Sequence, residues 1–267
     1  MNQEKYPLWE KENTPFYNEA IGQEVPFLTP FLCDGKSNAC VIVMPGGGYS
    51  YLAEHEGTPI AEMLQKNGIS SFVLNYRVAP YQYPALIADA NRAVRFVRYH
   101  ADRFGIDPDK IAVLGFSAGG HLSLMAANIW DEGLGDKAQD AIDRVSCRVN
   151  ACVLCYAVQT MKPSQTHMGS HDNLIGGLDN EKELEEALSV PAIISDQTPP
   201  TFLWQCFNDH AVKMITTVDT IAALTAHNIP SEIHIYPDGG HGMGLGADNH
   251  ANTWGPLLCR WLKKVFA

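Results

Sequence analysis

The chain has 267 residues, 46% of them hydrophobic, with 19 basic against 30 acidic side chains and a formal charge of −11. That length and apolar content suffice for one large core, while the negative charge, with no Lys/Arg cluster to offset it, argues against nucleic acid or an anionic membrane as a partner. The start, Met1 to Pro7, lacks a basic patch followed by an apolar stretch, and no segment is apolar for long enough to cross a bilayer, so a cytoplasmic protein is expected.

In chain order, the region before Ala39 is rich in Pro and aromatics, with an antiparallel pair of edge strands expected near Val25 to Phe31. A strand over Ala39 to Met44 leads into Pro45-Gly46-Gly47-Gly48-Tyr49, and a helix over Thr58 to Asn67 precedes a strand over Ile69 to Asn75. Pro84 to Phe104 carries Leu86, Ala90, Ala93, Val94, Val97, Ala101 and Phe104 at three- and four-residue spacing and ends at Gly105, which predicts a helix. Strands over Ile111 to Leu114 and Val149 to Ala157 flank a helix over Ala118 to Trp130. The Cys152-x-x-Cys155 pair lies inside the second of these strands, where residues three apart point to opposite faces. Seven scattered cysteines form no compact framework, and free thiols are expected. Between Met161 and Pro200 the pattern breaks into polar, Gly- and Pro-containing sequence around one charged helix, Glu181 to Leu188, placed to cap a site. Strands over Thr201 to Cys206 and Glu232 to Tyr236 then alternate with helices over Val212 to His227 and His250 to Phe266. Apolar strands alternating with amphipathic helices predict an α/β fold, a mostly parallel central sheet covered on both faces.

Gly115-Phe116-Ser117-Ala118-Gly119 joins a strand to a helix, the setting of a nucleophile elbow: a tight, strained turn that lifts a serine hydroxyl clear of the sheet and closes only between small neighbours. A serine hydroxyl needs a base, and the base needs a carboxylate to fix its tautomer. His241, in the Gly-rich loop after the last strand, is the candidate base. Asp209, just past Thr201 to Cys206, is the candidate acid, and both emerge at the carboxyl edge of the sheet where the elbow lies. Asp209 also suits a helix N-cap, and Asp238, on the His241 loop itself, is the rival acid. His121, His210, His227 and His250 read as packing or surface residues, and Arg77 as a structural ion-pair residue. The amide of Ala118 is one candidate oxyanion donor; the glycine loop after Met44 is the source of the other, since its amides can turn inward unobstructed.

From Ala39 onward the chain resembles the α/β-hydrolase family, most closely its hormone-sensitive-lipase-like esterases and small bacterial acetylesterases of the acetylxylan-esterase type. Pro45-Gly46-Gly47-Gly48 is similar to their His-Gly-Gly-Gly, Tyr76-Arg77-Val78-Ala79-Pro80 to their Tyr-Arg-x-Ala-Pro, and Gly115 to His121 to their elbow. The resemblance implies one α/β-hydrolase domain over 1–267 with a short cap over 161–200, a Ser117–His241–Asp209 triad, and Gly47, Gly48 and Ala118 as oxyanion-hole amides. Pro45 departs from the pattern by replacing a histidine, and must hold the loop by restricting φ.

The implied activity is that of a serine carboxylesterase acting on short acyl esters, acetyl groups on sugars above all, through an acyl-enzyme and without a metal or organic cofactor. Tyr49 and Tyr51 stand beside the glycine loop as candidates to stack on a sugar. A formamidase or small-peptide hydrolase on the same triad, and a catalytically silent binding protein on the same fold, are the alternatives. The expected partner is a small ester molecule, and apolar surface on the 161–200 segment is compatible with a homodimer.

Overall fold

A computed structural model describes residues 4–34, 39–246 and 248–267; residues 1–3, part of the start considered above, lie outside it. Eight strands form one sheet: β1 Tyr6–Pro7, β2 Phe27–Phe31, β3 Cys40–Met44, β4 Ser70–Asn75, β5 Ile111–Phe116, β6 Ala151–Cys155, β7 Thr201–Cys206 and β8 Ser231–Tyr236. Their order is β1-β2-β4-β3-β5-β6-β7-β8. From β4 to β8 all neighbours run parallel, while β2 lies antiparallel to both β4 and β1. The expected antiparallel edge is therefore present, but the 27–31 strand pairs with the short strand at residues 6–7 on one side and with β4 on the other.

Alternation along the strands sorts side chains into two cores. Cys40, Ile42, Val113, Cys152 and Leu154 face one side; Val41, Val43, Leu114, Val153 and Cys155 face the other. Helices α2 (Ala85–Tyr99), α4 (Ser117–Asn128) and α7 (Met214–Ala226) pack on the first side, and α1 (Thr58–Lys66) and α8 (Trp254–Val265) on the second. Cys152 and Cys155 thus belong to different cores, and all seven cysteines are free thiols.

The helix expected over 84–104 divides at His100 (φ −99°, ψ 15°) into α2 and a single turn, α3 (Ala101–Phe104), closed by Gly105 in the left-handed region. The segment 161–200 departs further from expectation. It holds two helices, α5 (Met168–Leu174) and α6 (Glu181–Ala187), and the first has too few apolar positions to reveal itself by periodicity. No described helix is long and apolar enough to cross a membrane.

Candidate active site

β5 ends at Phe116 and α4 begins at once with Ser117, whose φ of 51° puts a non-glycine residue in the left-handed region. Close packing imposes this turn. A Cβ on Gly115 would sit 2.0 Å from the Gly119 carbonyl oxygen, and one on Gly119 would sit 2.2 Å from the Met44 carbonyl oxygen. Only glycines let α4 start this close to β3 and β5, and that proximity brings Ser117 beside the loop that follows β3.

His241 donates through Nδ1 to Asp209 Oδ2 at 2.7 Å, and its Nε2 lies 2.8 Å from Ser117 Oγ. With the Nδ1 proton held by the carboxylate, Nε2 is the acceptor and the serine hydroxyl the donor. Asp209 is placed for both roles that its position suggested: Oδ1 accepts from the amides of Ala211 and Val212, capping the approach to α7, and Oδ2 faces the imidazole. Gln205 Nε2 adds a 2.9 Å bond to Oδ2. The rival Asp238 is engaged elsewhere, accepting from His250 Nδ1 at 2.9 Å. The Tyr156 ring packs edge-on against His241, centroids 4.9 Å apart.

The Gly46–Gly48 loop borders Ser117. Gly47 (φ 124°) admits no side chain, because its Cβ would meet the Tyr51 carbonyl oxygen at 2.1 Å. Among the described residues, the Gly47 and Gly48 amides donate to no protein acceptor, and the Ala118 amide lies in the first turn of α4, where helix geometry supplies none. Pro45 does not hold this loop by φ alone. Tyr76 Oη donates to the Pro45 carbonyl at 2.5 Å, and the Gly46 amide donates to Glu56 Oε2 at 2.8 Å.

Glu56 joins the site although nothing in its local sequence singles it out. It is buried, and its other oxygen accepts from Tyr156 Oη at 2.5 Å; that same hydroxyl accepts from the Gly244 amide at 2.9 Å in the His241 loop. Burial, with the Glu56 carboxyl adding, pushes the Tyr156 phenol well above its ordinary pKa, so it stays protonated and donates. One buried chain of bonds therefore joins the glycine loop to the loop that carries His241.

A cavity of about 260 Å³ opens over Ser117 and His241, lined also by Gly47, Gly48 and Tyr51. His167, Gly169 and Asn173 of the 161–200 segment form its opposite wall. Asn173 Nδ2 donates to the Gly48 carbonyl at 2.8 Å, so α5 is tied to the glycine loop. Of the two tyrosines expected to stack on a sugar, Tyr51 lines the cavity and is 62% exposed. Tyr49 is a correction: it is 0% exposed, with its hydroxyl 2.9 Å from His121 Nδ1, because φ at Tyr49 (60°) turns its ring into the core. His121 is buried packing, its Nε2 donating to the Leu188 carbonyl at 2.8 Å. Arg77 pairs with Asp89 Oδ1 at 2.6 Å, both side chains buried away from the cavity.

The family model BD-FAE matches residues 32–224, well over half of the chain. The chain belongs to the BD-FAE family. This BD-FAE chain is 41% identical to a structurally characterised acetyl ester-xyloside bifunctional hydrolase from Caldicellulosiruptor lactoaceticus, with a TM-score of 0.93 over 98% of this chain and 96% of that one. It also superposes on MGS-M1, an alpha/beta hydrolase enzyme from a Medee basin deep-sea metagenome library, at 29% identity and a TM-score of 0.72, over 100% and 98% of the two chains. The BD-FAE chain therefore has the α/β-hydrolase fold that its elbow and strand order led us to expect. It is 30% identical to an acetylxylan esterase of Xylanibacter ruminicola over 88% of its own length and 47% of that protein's. The chain spans less than half the length of the curated relatives that it matches over most of its own.

Proposed function

We propose that the protein is a serine carboxylesterase that removes short acyl groups, acetyl foremost, from carbohydrate or polyol esters. The observation that carries this reading is the continuous hydrogen-bonded series Ser117–His241–Asp209 at the floor of the cavity, 2.8 and 2.7 Å. His241 takes the serine proton as Oγ attacks the ester carbonyl, and Asp209 holds and stabilises the imidazolium that forms. Negative charge develops on the former carbonyl oxygen, which accepts from the Gly47, Gly48 and Ala118 amides in this mechanism, and each such donor is worth about 3 kcal/mol in the transition state. His241 then returns the proton to the leaving alcohol, and water releases the acyl group by the same route.

In this reading residues 161–200 act as a short cap, and a cavity of only about 260 Å³ favours acetyl over long chains. The names of the relatives, an acetyl ester-xyloside hydrolase and an acetylxylan esterase, support sugar acetates as the substrate class. The negative charge supports a small molecule, rather than nucleic acid or an anionic membrane, as the protein's partner. The test is hydrolysis of p-nitrophenyl acetate, butyrate and octanoate beside acetylated xylo-oligosaccharide, with wild type and Ser117→Ala. Serine-dependent deacetylation that falls as the acyl chain lengthens is the expected result; serine-independent turnover, or none on any ester, overturns the reading.

A further inference from the structure

The cavity wall contributed by residues 161–200 contains an uncommitted hydrogen-bond donor. His167 stands at the N-cap of α5, where its Nδ1 accepts from the Ser170 backbone amide at 3.2 Å, with Ser170 Oγ also 3.0 Å away. A backbone amide can only donate, so Nδ1 carries no proton and the neutral ring holds its hydrogen on Nε2. Among the described residues, Nε2 has no partner. Several neighbouring polar groups of the cavity are occupied: His55 Nε2 on the Gly242 carbonyl, Glu56 on Gly46 and Tyr156, and Ser50 Oγ and Asn173 Nδ2 on carbonyls of the glycine loop.

The position of His167 limits what that donor can meet. Its Cε1 lies 3.7 Å from where a Gly48 Cβ would be, and the ring lines the same cavity as Ser117 and His241. His167 therefore stands beside the glycine loop, in the cavity also lined by the histidine that protonates the leaving alcohol. A cationic ring there would repel the imidazolium of His241 as it forms. Burial, then the neighbouring His241, holds the His167 pKa below its ordinary value, and the capping bond to Ser170 also requires the neutral form.

Resting on the esterase reading above, we infer that His167 is a specificity-determining residue: its Nε2–H donates to a hydroxyl on the carbon next to the ester-bearing carbon of the alcohol part. An alcohol with a vicinal hydroxyl, as in a partly acetylated sugar ring or a diol monoacetate, offers an oxygen there; a simple alkyl acetate does not.

The test compares trans-1,2-cyclohexanediol monoacetate with cyclohexyl acetate, which differ by that hydroxyl alone. The readout is the ratio of their kcat/KM values in wild type, His167→Asn and His167→Phe. Asn keeps the cap on Ser170 but is too short to present a donor in place of Nε2, so the variant retains α5. The ratio is expected to favour the diol monoacetate in wild type and to fall about tenfold in both variants, the worth of one hydrogen bond. A ratio unchanged within twofold, or a wild type that does not prefer the diol monoacetate, overturns the inference while leaving the esterase reading intact. Wild type inert on p-nitrophenyl acetate as well overturns both.

Discussion

The floor and the wall of the cavity are built differently. The floor consists of the elbow, the Gly46–Gly48 loop and the loops bearing Asp209 and His241, all at the carboxyl edge of parallel strands. Backbones there approach so closely that a single Cβ would collide at about 2 Å, and buried groups of Tyr76, Glu56 and Tyr156 pin each loop to the next. The wall, residues 161–200, contributes no strand to the sheet and is tied to the rest by bonds such as Asn173 on Gly48, His121 on Leu188, Gln82 on the Gly176 carbonyl and Lys213 on the Ser164 carbonyl. Geometry that must be held within a fraction of an ångström sits on the sheet. In the function proposed, the shape that selects the substrate sits on the separate 161–200 segment.

Changes in the floor should therefore dominate activity. Ser117→Ala is expected to lower kcat by roughly 10⁴-fold or more, measured on p-nitrophenyl acetate. Asp209→Asn should cost about 10⁴-fold by leaving the imidazole in the wrong tautomer, whereas Asp238→Asn should stay within about twofold. Equal losses in the two variants would reverse the assignment of the acid. Glu56→Ala cuts the chain of bonds between the glycine loop and the His241 loop. It should lower kcat by about 10- to 100-fold, the cost of misplacing reacting groups by around 1 Å, and lower Tm because the Gly46 amide and the Tyr156 hydroxyl lose a buried acceptor. A Glu56→Ala enzyme with wild-type kcat would separate the network from the chemistry.

The smallest effects belong to the wall and its attachment to α4, where two histidines, His171 in the wall and His121 bonded to it, should respond to pH in opposite senses. Burial pushes His121 down from 6.5 to about 4, against the opposing bond to the Leu188 carbonyl. An unfolded chain then binds the extra proton first, so the stability tied to neutral His121 is present above pH 6.5 and is lost as pH falls from there to about 4. For His171, burial also works downward, but the hydrogen bonds with Asp172 and Glu185 outweigh it, so its pKa is raised above 6.5. The contribution of its pairs, 2.9 Å to Asp172 and 3.2 Å to Glu185, is therefore full below pH 6.5 and is lost as pH rises through the raised value. His171→Gln should lower Tm by roughly 2–4 °C in mildly acidic buffer and by less in alkaline buffer. A Tm difference independent of pH would show that His171 packs as a neutral ring.

Much of this protein was legible in its residues because the information was local. The alternation of β-branched runs and amphipathic helices reports which face each element buries. Gly115, Gly119 and Gly120 around Ser117 report a turn that few other residues allow, and the placement of Asp209 and His241 follows from the strand that precedes each. Position in the chain ranked Asp209 above Asp238, which lies too close to His241 in sequence to reach behind its ring easily; the structure brings Asp209 to the imidazole and pairs Asp238 with His250. The tertiary structure alone decided the rest. Glu56 sits in an unremarkable polar stretch and becomes part of the site only when β6 brings Tyr156 beside it. Tyr49 and Tyr51, two residues apart in the same loop, part company because one backbone dihedral turns Tyr49 inward. His167 has no periodicity to announce it, and its placement over the cavity depends on how α5 docks on the glycine loop. Periodicity and turn chemistry are properties of neighbours in sequence; a buried network and a cavity wall are properties of neighbours in space.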